Sequence, residues 1–225
     1  MCARFTSTRQ KEDFVHYFGL LNAPDFSPRF NVAPNQTVPV VRTTAGGREC
    51  VPMTWGLVPA WAKPDTPQAA AGLVNAKAET VLEKPAFRDA AKFRRCLVPA
   101  DGFIEWESAA GKKHPHWFRL ADGGTFAFAG LWEPASPGAK KAGETFAILT
   151  VPASPDVSHL HDRMPVILLP DQFEPWLATD SRTWMELLKP LPAGSLLSHP
   201  VNPALNSPRF DHAGLLTPSR VGLFD

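Results

Sequence analysis

The chain has 225 residues, 44% of them hydrophobic, and a formal net charge of +1, a composition that excludes intrinsic disorder and supplies enough apolar residues for a packed core. No apolar run approaches the ~18 residues of a membrane helix, and the opening MCARFTSTRQKEDF lacks the apolar stretch of a secretory signal, so no membrane is expected as partner. Three cysteines, Cys2, Cys50 and Cys96, exclude a disulfide framework and match no zinc spacing, which makes a reducing, cytoplasmic setting the expectation.

In chain order, residues 10–21 place Phe14, Val15, Phe18 and Leu21 on one helical face, with Ser7 or Thr8 as N-cap. VPVVR at 38–42 predicts a short strand, and MTWGLVPAW at 53–61 a strand broken by Pro59. Residues 78–92 read as a helix interrupted near Pro85. RRCLVPADGFIEWE at 94–107 reads as two strands joined at Pro99–Gly102. HWFRLADGGTFAFAGLWE at 116–133 predicts a hairpin turning at Ala121–Gly124. A buried strand at 145–152, short helices near 170–178 and 181–188 and a strand at 195–201 complete the pattern. The 24 prolines keep helices short and connections stiff. Strands outnumber helices without alternating with them. This predicts an α+β fold: a β-rich, mixed or antiparallel sheet curled into a barrel-like body with short flanking helices, one domain over residues 2–225.

Several segments carry side chains suited to chemistry. Cys2 follows Met1 and is small enough to permit its removal. The exposed residue then carries an α-amine and a thiol together. At pH 7 roughly one α-amine in seven is neutral, against a few lysines in ten thousand, and only the neutral form attacks an aldehyde. The tethered thiol can then close a five-membered ring on the imine carbon. VNAKAE at 74–79 offers Asn75, a residue type that standing alone is usually a turn or capping residue, and Glu79. In DGFIEW at 101–106, strand alternation sets Ile104 and Trp106 on one face and Glu105 on the other. A carboxyl flanked by large apolar groups is a candidate for a raised pKa and proton transfer; the alternative is a glutamate on a sheet surface. HLHDRMP at 159–165 spaces His159 and His161 as a strand pair, but no third ligand accompanies them and no metal is assigned. His161 suits acid–base work and Arg163 suits a phosphate.

Lys84, Arg88, Lys92 and Arg95 would form one basic stripe on a helix, with Lys77 and Arg94 beside it, either a solvated face or a phosphate track. Trp55, Trp61 and Trp106 lie beside turns containing Pro or Gly, where exposed rings could stack on unpaired bases.

Taken together, MCARF, RFNVAP at 29–34, WGLVPAW at 55–61, NAKAET at 75–80, FRDAAKFRRCLVPADGFIEW at 87–106, HDRMPV at 161–166 and HPVN at 199–202 resemble the SRAP family, named for an SOS-response-associated peptidase. The resemblance runs in order over roughly residues 2–205. It implies a sensor of abasic sites in single-stranded DNA whose N-terminal cysteine forms a thiazolidine with the ring-opened sugar aldehyde, without a cofactor. It implies roles for Cys2 as nucleophile, Asn75 as an orienting hydrogen-bonder, Glu105 as proton shuttle and His161 as acid–base partner. Arg4, Arg88 and Arg163 match its phosphate-binding positions. Lys77 stands where arginine is common, and Ile104 where an aromatic is common. The partner implied is single-stranded DNA carrying abasic sites, bound by a monomer, near the nucleoid if the source is bacterial. A thiol peptidase using Cys2, first on its own Met1–Cys2 bond, and a non-covalent single-strand binder are the alternatives.

Overall fold

The computed structural model describes residues 2–21, 23–62, 72–109, 111–135, 143–179 and 183–219. Its strands are β1 (Phe5–Ser7), β2 (Arg29–Val32), β3 (Thr37–Thr44), β4 (Gly47–Trp55), β5 (Asn75–Lys77), β6 (Arg95–Ala100), β7 (Gly102–Ala109), β8 (Lys112–Leu120), β9 (Phe126–Glu133), β10 (Thr145–Pro152), β11 (Arg163–Pro165), β12 (Ile167–Leu168) and β13 (Leu196–Pro200). They form two sheets. One runs β13-β8-β7-β1-β2. In the other, β10, β4, β3, β6 and β9 pair in succession and β9 returns to pair with β10, so five strands close into a barrel-like ring. The fold is α+β and β-rich, as its sequence pattern predicts.

The ring closes because three of its five strands, β6, β9 and β10, are buried on both faces almost throughout. Every residue of β6 is buried, as is every residue of β10 except Pro152. Such strands cannot face water on either side and need cover throughout. Phe5, Trp55, Phe103, Phe128 and Phe146 pack at the centre of the core. The helix Lys11–Phe18 turns Phe14 and Phe18 onto this core and ends at Gly19, whose φ of 62° is the left-handed value glycine adopts without strain. Among the described residues, no helix is long and apolar enough to cross a membrane.

Three expectations are corrected. Residues 116–133 hold two strands, but β8 and β9 do not pair with each other. β8 pairs with β7 and β13 in one sheet, and β9 with β6, β10 and β12 in the other. The turn carries the chain from sheet to sheet, because the almost wholly buried β9 belongs in the ring while β8 has one half-exposed face. The segment 78–92 is no continuous helix: Ala78–Thr80 form a single 3-10 turn, and the α-helix spans Arg88–Phe93. The basic stripe is correspondingly shorter. Lys84, Arg88 and Lys92 are exposed, but Arg95 is buried, donating to the carbonyls of Ala91, Lys92, Trp176 and Ala178 between two helix ends.

Candidate functional site

The site forms where the two sheets meet. β1 pairs antiparallel with β7, Phe5 opposite Phe103, and the Ile104 amide donates to the Arg4 carbonyl at 3.0 Å. Continued toward the N-terminus, this register sets Ala3 opposite Glu105. From the other sheet comes β5, parallel to β10 with Asn75 opposite Ile148. The Asn75 side chain reaches across and its Nδ2 donates to the Cys2 carbonyl at 2.8 Å. A cleft of about 680 Å³ opens beside these groups, its lining including Ala3, Glu105, Trp106, Lys113, His161 and Asn206.

Cys2 is fully buried, and its Sγ points to the Arg4 carbonyl at 3.6 Å. Burial, reinforced by the negative charge of Glu105, pushes the thiol pKa far above its ordinary value. Glu105 is 3% exposed, and burial lifts its pKa from 4.5 to about 7. Near neutrality this carboxyl is therefore divided between its acid and base forms and can give and take a proton. The His161 pKa is lowered, first by burial. Its Nδ1 accepts from the Arg163 amide at 2.9 Å. The same nitrogen lies 2.9 Å from Asp162 Oδ1, a contact that would need Nδ1 protonated. The lowered pKa favours the neutral ring, with Nδ1 as acceptor and the proton on Nε2.

The proposed cationic and aromatic residues divide. Arg4 is half-buried, donates to the Ala3 carbonyl at 2.8 Å and lies 6.0 Å from the centre of the Trp106 ring. The Trp106 indole donates to Asn206 Oδ1 at 2.6 Å. Lys77 is exposed at the end of β5 and shares its face with Asn75 by strand alternation. Arg163 carries a fork engaged on both oxygens of Glu79, at 2.5 and 2.9 Å, and donates to the Thr150 carbonyl at 2.6 Å. Arg88 opens its helix with a half-exposed side chain, away from the cleft lining. Trp61 is 63% exposed.

Trp55 is a correction. It is fully buried, its ring 5.1 Å from Phe5 and parallel to Phe146, and its indole donates to the Val74 carbonyl at 2.9 Å. It braces the entry to β5 from the core and presents no ring to a base. Ile104 is also fully buried, in a separate apolar cluster with Val201, Leu205 and Leu215. His159 is not paired with His161 along a strand: it follows the helix Pro155–Ser158 and its ring packs on Phe118. Among the described residues, no group of three or more His, Cys, Asp or Glu could hold a metal.

Sequence reasoning missed Lys113, Asn206 and the clamping role of Glu79. Glu79 stood in the NAKAET motif, but its partner lies 84 residues away. Asn206 follows the HPVN stretch in a segment with no periodicity to mark it.

A model of the family described as SOS response associated peptidase (SRAP) matches residues 1–208. The abasic site processing protein YoaM of Bacillus subtilis is 34% identical over 223 residues, covering 96% of this chain and 97% of that one. The abasic site processing protein HMCES of Gallus gallus is 33% identical over 239 residues, covering 88% of this chain and 68% of that one. A crystal structure of a Bacteroides thetaiotaomicron protein superposes with a TM-score of 0.84 at 22% identity, covering 97% of this chain and all of that one, which is a likeness of fold.

Proposed function

The chain belongs to the SRAP family, and from that premise we propose that it captures abasic sites in single-stranded DNA as a covalent thiazolidine through Cys2. The observation that carries this reading is the convergence of Cys2, tied by its carbonyl to Asn75, with a buried Glu105 whose pKa is about 7.

The reaction needs Met1 removed, so that Cys2 offers a free amine. That amine, neutral in useful amount near pH 7, attacks the C1′ aldehyde of the ring-opened sugar. Glu105 in its acid form protonates the carbinolamine oxygen, and one water leaves to give the imine. The Cys2 thiol adds across the carbon–nitrogen double bond. Its proton passes to nitrogen by way of Glu105, and the five-membered ring closes. The net change is one water lost, with nothing oxidised or reduced. His161, neutral with its proton on Nε2, is suited to assist opening of the sugar hemiacetal. Asn75 holds the Cys2 carbonyl, which fixes the direction from which the amine approaches. Arg4 and Lys77 supply positive charge for the strand, and Trp106 a ring for stacking.

A thiol peptidase would require a Cys2 thiolate, and burial together with the charge of Glu105 disfavours one. A thiol that stays protonated suits the second step of capture, where it adds to an electrophilic imine already tethered beside it. Intact-mass analysis after mixing Met1-free protein with an abasic single-stranded oligonucleotide tests the reading. The expected product has the summed mass of the two minus one water. Cys2→Ala should give only an imine trappable by borohydride, and a durable adduct from that variant would overturn the role of the thiol.

A further inference from the structure

The residues after β13 form a strap across the five-stranded sheet. Val201 begins it, its amide donating to the Pro115 carbonyl of β8 at 2.9 Å. Leu205 then packs on Ile104, on the face of β7 opposite Glu105. The strap is fastened at β2 by Asn31, a fully buried side chain whose Nδ2 serves the carbonyls of Leu205, Ser207 and Phe210 at 3.2, 3.0 and 3.0 Å. Asp211 adds contacts to the Phe30 and Asn31 amides and to Arg29. RFNVAP thus includes the fastening of a distant segment.

Between these fastenings the strap carries one side chain into the cleft wall. Asn206 Oδ1 accepts from the Trp106 indole at 2.6 Å, while Asn206 Nδ2 donates to the Lys113 carbonyl at 3.2 Å. It bridges both strands of the β7–β8 hairpin, and Trp106, Lys113 and Asn206 all line the cleft that holds Glu105 and His161. Tryptophan carries one hydrogen-bond donor, so the ring has one polar fastening, and Asn206 occupies it. We propose that Asn206 is a positioning residue for capture: it fixes the Trp106 ring as the platform on which the base next to the lesion stacks, with Lys113 beside it to take the adjoining phosphate. The proposal rests on the DNA-capture reading, because only a strand in the cleft gives the platform an occupant.

A double-mutant cycle on Met1-free protein tests it. Affinity for an undamaged single-stranded oligonucleotide and the rate of crosslinking to its abasic counterpart are measured for wild type, Asn206→Ala, Trp106→Phe and the double variant. Thermal unfolding of each accompanies them. Asn206→Ala should weaken binding about fivefold, and in crosslinking the loss should fall on the half-saturating concentration rather than on the rate at saturation. Trp106→Phe keeps a ring but no N–H, so the double variant should bind no worse than the weaker single variant. Losses that multiply in the double variant, or unchanged binding by a folded Asn206→Ala, would overturn the proposal. If wild type binds the strand yet never crosslinks, the capture reading fails, while the binding arm still reads Asn206.

Discussion

Asn75 Nδ2 lies 2.8 Å from the carbonyl of Cys2, a residue 73 positions earlier in the chain. This bond fixes the backbone of the residue proposed to react, and it joins the two sheets at the cleft. Asn75→Ala should slow crosslinking about tenfold or more, while affinity for undamaged single strands changes little. Timed denaturing gels measure the first and fluorescence anisotropy the second. An equal loss in both would recast Asn75 as part of the DNA-binding surface.

Much of this site was legible because its chemistry is local. Glu105 sits between Ile104 and Trp106 in sequence, and strand alternation alone sets the carboxyl apart from them. Burial then raises its pKa as that setting suggests. Partner choice was not legible. The turn at 121–124 announces a reversal but not which sheet receives β9, and β8 turns instead to β7 and β13. Nearness to Gly56 suggested an exposed Trp55, yet exposure is set by what packs over the ring, here Phe5 and Phe146. Arg163 reads as a free cation until Glu79, from the 3-10 turn after β5, meets its fork.

Glu105 also makes a pH signature. Its folded pKa of about 7 exceeds the ordinary 4.5, so the folded state binds more protons than the unfolded chain between these values. Stability should therefore fall as pH rises through that window, and Glu105→Gln should remove the loss, stabilising the protein at pH 8 by about 2–3 kcal/mol and little at pH 4. Urea unfolding at the two pH values measures this. Capture should show a bell-shaped pH profile with its maximum in the neutral range, where acid Glu105 and neutral amine coexist best, and the alkaline limb should vanish in Glu105→Gln.

Asn31 is fully buried and serves three carbonyls of the strap. In Asn31→Ala those carbonyls lose their buried donor. The cost to stability should be about 2–3 kcal/mol. Because the strap carries Asn206, single-strand affinity should fall as well, whereas Arg29→Gln, on the exposed Asp211 pair, should cost under about 1 kcal/mol. Thermal melts together with anisotropy separate the two variants, and an Asn31→Ala protein of unchanged stability would contradict the fastening role.

Lys77 is exposed on the strand face it shares with Asn75, whereas the Arg163 fork is engaged by both oxygens of Glu79 and by Thr150. Formal charges of equal size therefore differ in what they can give a phosphate. Lys77→Gln should reduce the slope of log affinity against log salt by about 0.7, one released counterion, whatever the strand's sequence. Arg163→Gln should reduce it by clearly less, because the Glu79 carboxylate already neutralises that charge. It should instead lower stability, as Glu79 and the Thr150 carbonyl lose their donor. Arg163→Lys should not recover this, since an ammonium cannot span both carboxylate oxygens and the carbonyl as the fork does. Glu79→Gln separates clamp from contact. With the carboxylate neutralised, Arg163 gains a net charge to offer, and the slope should steepen rather than flatten. A slope that falls by ~0.7 in Arg163→Gln and stays unchanged in Glu79→Gln would mean that the strand displaces Glu79 from the guanidinium when it binds, which would make Arg163 a direct phosphate contact in the complex.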